Sequence, residues 1–205
     1  TAKLIYEADD IARVYNNKTS ELLVKVTYDD PNGRATYSYQ WYKDGVLLEG
    51  ETGESLTVKN VADSGIYTCV VTVTDGSATY TATSDAATVA ITKKLYTFKD
   101  DFRWEYDGAF YPDGNAHSVA LISSVDAYAG VHIAYTGDAT EQSAIGNYRT
   151  GATVTFDNEN CALDGEIETL SWAIGTREVD IVTEDGTVIG KVSLTTDGVA
   201  VDPAY

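Results

Sequence analysis

The chain has no methionine, three prolines and only two cysteines among its 205 residues, and its acids far outnumber its bases. Absence of methionine even at position 1 reads as a segment of a longer chain. Lys and Arg total 14 against 32 Asp and Glu, a formal charge of -18. A polyanion of this kind is repelled by nucleic-acid phosphates and by anionic membrane surfaces, which excludes nucleic acid as a partner. The same charge favours solubility and offers carboxylates to cations. No run of ~18 apolar residues exists, so no membrane-inserting segment is expected. No signal peptide is visible, because Thr1-Ala2-Lys3 leads straight into strand-like sequence; a leader removed earlier would leave the same picture.

Helical periodicity is almost absent as well. Short alternating runs separated by Gly, Asp and Asn dominate, and this is the all-β pattern. In the first half the runs are Leu22 to Thr27, Thr36 to Tyr42, Ser55 to Val58, Gly65 to Thr74 and Ala87 to Ile91. Turn chemistry falls between them at Asp30-Pro31-Asn32-Gly33, Asp44-Gly45 and Asp75-Gly76. The length allows one large or two ordinary β domains.

Two elements of the first half belong together. Trp41 sits in an apolar strand, and Asp63-Ser64-Gly65-Ile66-Tyr67-Thr68-Cys69 follows a later turn. The set Trp41, Asp63, Gly65, Tyr67 and Cys69 resembles the strand C to strand F grammar of a bacterial immunoglobulin-like domain. The resemblance implies a sandwich in which the Trp fills the space between two sheets and the Tyr hydroxyl ties the E–F corner to the backbone. It also implies a strand B cysteine opposite Cys69. The region that should hold it reads Glu21-Leu22-Leu23-Val24-Lys25-Val26-Thr27-Tyr28, with Val24 and Val26 inward and no cysteine. Cys161 lies in what reads as a second domain, too far for a bond. Both thiols are therefore expected to be buried and free, and the missing pair points towards a bacterial or phage source.

From Leu95 the β pattern restarts. Tyr106-Asp107-Gly108, His117-Ser118-Val119, Tyr135-Thr136-Gly137, Gly146-Asn147-Tyr148 and Thr169-Leu170-Ser171-Trp172-Ala173-Ile174 follow in order. Together they resemble the glycine-rich YDG-type repeats of bacterial surface proteins. That resemblance implies a stalk or adhesive module and no catalysis. Beyond Arg177, Val179 to Thr183 and Val188 to Leu194 flank Glu184-Asp185-Gly186, which reads as a β-hairpin. The expected organisation is an immunoglobulin-like sandwich over 1–93, a YDG-repeat-like β domain over 94–176, and a hairpin tail or the start of a further domain over 177–205. The fold class is all-β, tandem immunoglobulin-like β-sandwich domains.

An enzyme needs a nucleophile, a base and an orienting group, or a metal, in convergent positions. The two histidines, His117 and His132, both fall in expected strands, and no nucleophile elbow, zinc motif or phosphate-cradling loop is present. No enzyme activity and no obligatory cofactor are expected. Calcium is the candidate ion, because hard cations want clustered oxygens. Asp100-Asp101 near the domain junction is the candidate pair, with Asp9-Asp10 and Asp29-Asp30-Asn32 beside it. Adjacent Asp residues on a strand point to opposite faces, which argues for solvated turns instead. In the insert Phe110-Tyr111-Pro112-Asp113-Gly114-Asn115, two aromatics beside a turn are placed for ligand contact or for anchoring the loop.

The reading that joins these is a non-enzymatic module of a secreted or wall-attached extracellular bacterial protein, in an adhesion or spacer role. Its partners would be host or bacterial glycans or matrix proteins, and neighbouring domains of a longer parent chain. Two alternatives stand beside it: carbohydrate-binding accessory domains of a secreted glycan-degrading enzyme, and a phage virion decoration protein.

Overall fold

A computed structural model gives the fold and describes residues 10–106, 108, 110–195 and 198–199. Asp107 of the Tyr-Asp-Gly motif and Asp9 of the first Asp doublet lie outside the described residues. Strands and two single-turn 3-10 segments, Val61–Asp63 and Ala127–Ala129, make up the regular structure. The class is all-β, as the alternating pattern implies. The chain divides into two compact units between Lys94 and Leu95.

The first unit holds β1 (Ile11–Val14), β2 (Ser20–Leu23), β3 (Thr36–Lys43), β4 (Val46–Leu47), β5 (Ser55–Val58), β6 (Gly65–Asp75), β7 (Ala78–Thr83) and β8 (Ala87–Thr92). One sheet runs β1-β8-β6-β3-β4, with β7 added along the far half of β6; β2 and β5 pair as the other. β1 lies parallel to β8, and the other pairings are antiparallel. Alternation decides what faces inward. Tyr67, Cys69, Val71 and Val73 of β6 are buried, as are Leu22 and Val24 at β2 and Leu56 and Val58 on β5. Trp41 is fully buried and stands beside Cys69 in the β3–β6 register.

Turn chemistry sets the register. Asp44 and Gly45 take φ of 50° and 79°, the mirror-image turn that joins β3 to β4 with the right twist. The expected runs at Thr36, Ser55, Gly65 and Ala87 are all strands, whereas the run expected over Leu22 to Thr27 is strand only at Leu22 and Leu23, the end of β2. β7 is an addition: Ala78–Thr83 is not among the expected runs. The last strand is broken into β7 and β8 because Ser84 turns inward. Its hydroxyl accepts from Cys69 N at 2.9 Å and donates to Asp85 O at 2.8 Å.

The second unit holds β9 (Lys94–Thr97), which begins at the division, then β10 (Phe102–Glu105), β11 (His117–Ser118), β12 (Ala120–Ser123), β13 (Val131–Gly137), β14 (Glu141–Gln142), β15 (Gly146–Phe156), β16 (Cys161–Asp164) and β17 (Leu170–Ile174). β13-β15-β17 form a three-stranded sheet; β10-β12, β11-β14 and β9-β16 pair two by two. The run His117 to Leu121, expected as one strand, is two. Val119 is a buried core residue whose N–H donates to Thr140 O, and the chain changes partner there. Tyr96, Phe102, Leu121, Trp172 and Ile174 are also buried in this unit, and Val119, Trp172 and Ile174 pack as one cluster. The expected hairpin is present as β18 (Arg177–Val182) and β19 (Val188–Thr195), joined by β20 (Gly198–Val199). Both cysteines are buried, and neither is in a disulfide.

Candidate functional site

The polar side chains of the first unit mostly hold its own backbone. Tyr67 Oη donates to Asp63 O at 2.5 Å, closing the corner the sequence implies. Asp63 in turn accepts from the N–H groups of Lys59 and Asn60 at 2.7 Å each. Burial, with Asp63 and Asp44 nearby, pushes the Tyr67 hydroxyl up to about 12. Trp41 Nε1 donates to Gly53 O at 2.9 Å. Burial likewise raises the Cys69 thiol, which keeps it protonated and unreactive.

Asp doublets behave in the same way. Asp30 accepts from Ala35 N at 2.8 Å and Arg34 N at 3.1 Å, and these bonds lower its pKa. Asp10 accepts from Thr88 N. Asp100 and Asp101 occupy a turn and not a strand, so both carboxylates reach one residue. Asp100 Oδ2 takes the Thr97 hydroxyl and Asp101 Oδ2 takes the Thr97 N–H, each at 2.8 Å. The shallow hollow of about 100 Å³ beside them is also lined by Lys99 and Arg103, whose charges oppose a cation. No group of three or more His, Cys, Asp or Glu is placed to hold a metal among the described residues.

The second unit gathers aromatics. β15 and β17 set Tyr148 opposite Trp172, with ring centroids 4.8 Å apart. Trp172 is buried, and its Nε1 donates to Thr150 Oγ1 at 3.0 Å; Thr150 donates onward to Asp138 O at 3.1 Å. Asp138 Oδ2 accepts Arg149 N, which fixes that loop on β15. Phe110 is half-buried: it stacks on His117 at 4.9 Å, meets Trp172 edge-on at 5.9 Å and lies 5.3 Å from Tyr106. Its carbonyl accepts from Gly175 N. Tyr111, next along, is 44% exposed. The two candidate contact residues thus divide, Phe110 into the aromatic cluster and Tyr111 outward.

His117 Nε2 lies 3.2 Å from Asp113 Oδ1, an ion pair whenever the imidazole is protonated. His132 Nε2 meets Asp157 Oδ1 at 2.9 Å on the surface. Beside the cluster opens a depression of about 390 Å³ lined by Tyr106, Tyr148 and Trp172, with Asn147, Arg149 and Ser171 at its edge. Sequence reasoning does not single out Thr150, the hub of this region. Its inward place two residues after Tyr148 is the available signal.

Residues 25–91 match the immunoglobulin domain family model, a stretch that includes Trp41, Tyr67 and Cys69, and the first unit is an immunoglobulin-like domain. No curated protein matches the chain. Similar solved structures include extracellular domains 3–5 of Drosophila OTK, 15% identical over 88% of this chain and 67% of that one, with a TM-score of 0.38. The three N-terminal domains of the bacteriophage RB49 outer capsid protein Hoc are 14% identical over 97% of this chain and 85% of that one, at 0.37. The amphioxus IgVJ-C2 molecule is 16% identical over 80% and 99%, at 0.29. Likenesses at this level carry no statement about function.

Proposed function

We propose that the chain is a non-enzymatic module of a secreted or cell-surface bacterial protein, with an adhesion or spacer role. The immunoglobulin-domain match over 25–91, on a sandwich whose Trp41, Asp63 and Tyr67 polar groups bond its own backbone, carries this reading. A scaffold built this way acts by presenting loops on rigid strands, and its ligand is chosen by those loops. The bacterial assignment rests on the strand B position, where Leu22 and Val24 fill the core in place of a cysteine, and on the likeness of 95–174 to YDG-type surface repeats. The sheet of β18 to β20 leaves Val179, Val182, Val188 and Ile189 exposed, which suits either a tail or the first strands of a further domain. Calcium at Asp100 and Asp101 belongs to the same proposal, as an ion that must displace Thr97 against the opposing charges of Lys99 and Arg103.

A second reading is a carbohydrate-binding accessory module. The depression beside Tyr106 and Tyr148 favours it, because aromatic faces flanked by Asn147 and Arg149 suit a sugar's apolar face and its hydroxyls. One screen separates these: the 205-residue chain on arrays of host and bacterial glycans and matrix proteins, with and without calcium. Saturable binding that Tyr111→Ala or Phe110→Ala removes assigns an adhesive loop. Glycan binding that Tyr148→Ala removes, with Tyr111→Ala silent, assigns the depression. Silence on every array refutes direct adhesion by this segment and leaves the spacer role.

A further inference from the structure

We infer that the outer face of the large sheet in the first unit is a self-association surface, on which a second copy of this chain docks face to face. The chain has a formal charge of -18 and 22% charged residues. Yet the outward positions of β1, β3, β6, β7 and β8, those that alternate with buried Trp41, Cys69 and Val71, hold no Asp, Glu, Lys or Arg. Hydroxyls stand there in register instead. Thr72 lies between Ser38 and Thr81, and Thr74 between Thr36 and Thr79. Towards the other margin of the same face Ile66 and Val14 are 53% and 52% exposed. The opposite sheet is ordinary by comparison, with exposed Glu21 paired to Thr57.

Threonine alone says little, since it favours strands anyway. The missing charge says more, because depletion of charged residues marks the core of a specific interface. Three arguments choose the occupant. A hydroxyl both donates and accepts, so an array of them is complementary to its own two-fold image. Two copies that each carry -18 can approach closely only across a face without charge. At ~3.3 Å per residue and ~4.8 Å per strand, the face covers about 500 Å² per copy, or about 1,000 Å² in a pair, the lower end for a specific contact. Asp10 and Asp44 sit just beyond the strands at the rim, so salt should strengthen the contact by screening them. The inference stands independently of the extracellular role proposed above.

Sedimentation equilibrium of the 205-residue chain at low and high salt tests it. The expected result is a monomer–dimer equilibrium with a dissociation constant near micromolar, falling as salt rises. Thr72→Glu should weaken the dimer by about tenfold or more, because it places an unpaired charge in the uncharged face. Thr81→Glu, on a more exposed strand, reads the same effect should Thr72→Glu fail to fold by circular dichroism. Thr72→Lys should weaken it as well, since either sign of charge is unpaired in that face. A chain monomeric at all concentrations and salts overturns the inference. So does a dimer that neither glutamate variant weakens, or a neutral glycan that binds this face on a monomer.

Discussion

The two units open their longest strand alike and spend the result differently. β6 begins Gly65-Ile66-Tyr67 and β15 begins Gly146-Asn147-Tyr148; each runs 11 residues and pairs with different strands along its two halves. In each, the tyrosine hydroxyl donates to the carbonyl four residues back, Tyr67 to Asp63 O and Tyr148 to Ala144 O at 2.6 Å. Two residues on, the inward position is Cys69 in one unit and Thr150 in the other, both fully buried. The units part at the indole. Trp41 gives its N–H to a backbone carbonyl, which no substitution at Gly53 removes. Trp172 gives its N–H to the Thr150 side chain, so that core depends on one hydroxyl. The first unit hides its corner tyrosine, and the second leaves Tyr148 lining an open depression.

The largest effect tests whether the two units are separate bodies energetically. Trp41→Ala removes a fully buried side chain from the first core and should cost about 3–5 kcal/mol. Calorimetry should then show one thermal transition lowered and the other unmoved. If both transitions shift together, the units share cooperativity and the comparison between them fails.

Next comes the hub. Thr150→Val keeps the shape but leaves the buried Trp172 Nε1 without an acceptor, at about 1–3 kcal/mol. Thr150→Ser should restore most of it. At the matching place in the first unit, Cys69→Val should stay within about 1.5 kcal/mol, since that cysteine behaves as a small apolar group. Equal costs at the two positions, measured by denaturant unfolding, would show that the polar hub is no more demanding than the apolar one.

Much of the first unit is legible in the amino-acid sequence alone, because its cues are local. Trp41, the Asp63 to Cys69 run and the Asp-Gly turns each specify a strand or corner through nearby residues. β7 is hidden because Thr79, Thr81 and Thr83 alternate with small or exposed partners, which leaves no apolar run to see. Strand geometry would send the Asp100 and Asp101 carboxylates to opposite faces, but in a turn both converge on Thr97. Thr150 and the split at Val119 are unreadable for a different reason. Each is defined by a partner far along the chain, Trp172 for one and Thr140 for the other. The uncharged sheet face needs the register itself, since its rows join residues from three strands.

The paired corners give a smaller contrast. Tyr67→Phe should cost about 0.5–1.5 kcal/mol, and Tyr148→Phe less, because water can reach the more exposed hydroxyl. pH sharpens it. The folded value of Tyr67 is raised to about 12, so its contribution is whole below the ordinary tyrosine value near 10 and is lost as pH climbs from there through about 12. The first unit should therefore lose stability over that window, and Tyr67→Phe should flatten the loss. An alkaline profile unchanged by the substitution would place the sensitivity elsewhere.

The smallest effect compares two exposed loop acids. Asp30 is lowered first by the N–H groups of Ala35 and Arg34, and Asp113 first by the N–H of Asn115, with His117 adding its charge. For both, the stabilising contribution is present above the ordinary aspartate value and is lost as pH falls through the lowered one. Their causes predict different responses to salt. Hydrogen bonds from the backbone are short-ranged and survive screening, whereas the attraction to His117 does not wholly survive it. Carboxyl titration by NMR should find Asp30 unmoved between low and high salt, and Asp113 shifted upward. His117→Gln should raise Asp113 at low salt, by removing the charge, and leave Asp30 where it was. An Asp113 titration indifferent to both changes would mean that Asn115, through its N–H and its side chain, holds the carboxylate, and that His117 serves the loop only by stacking on Phe110.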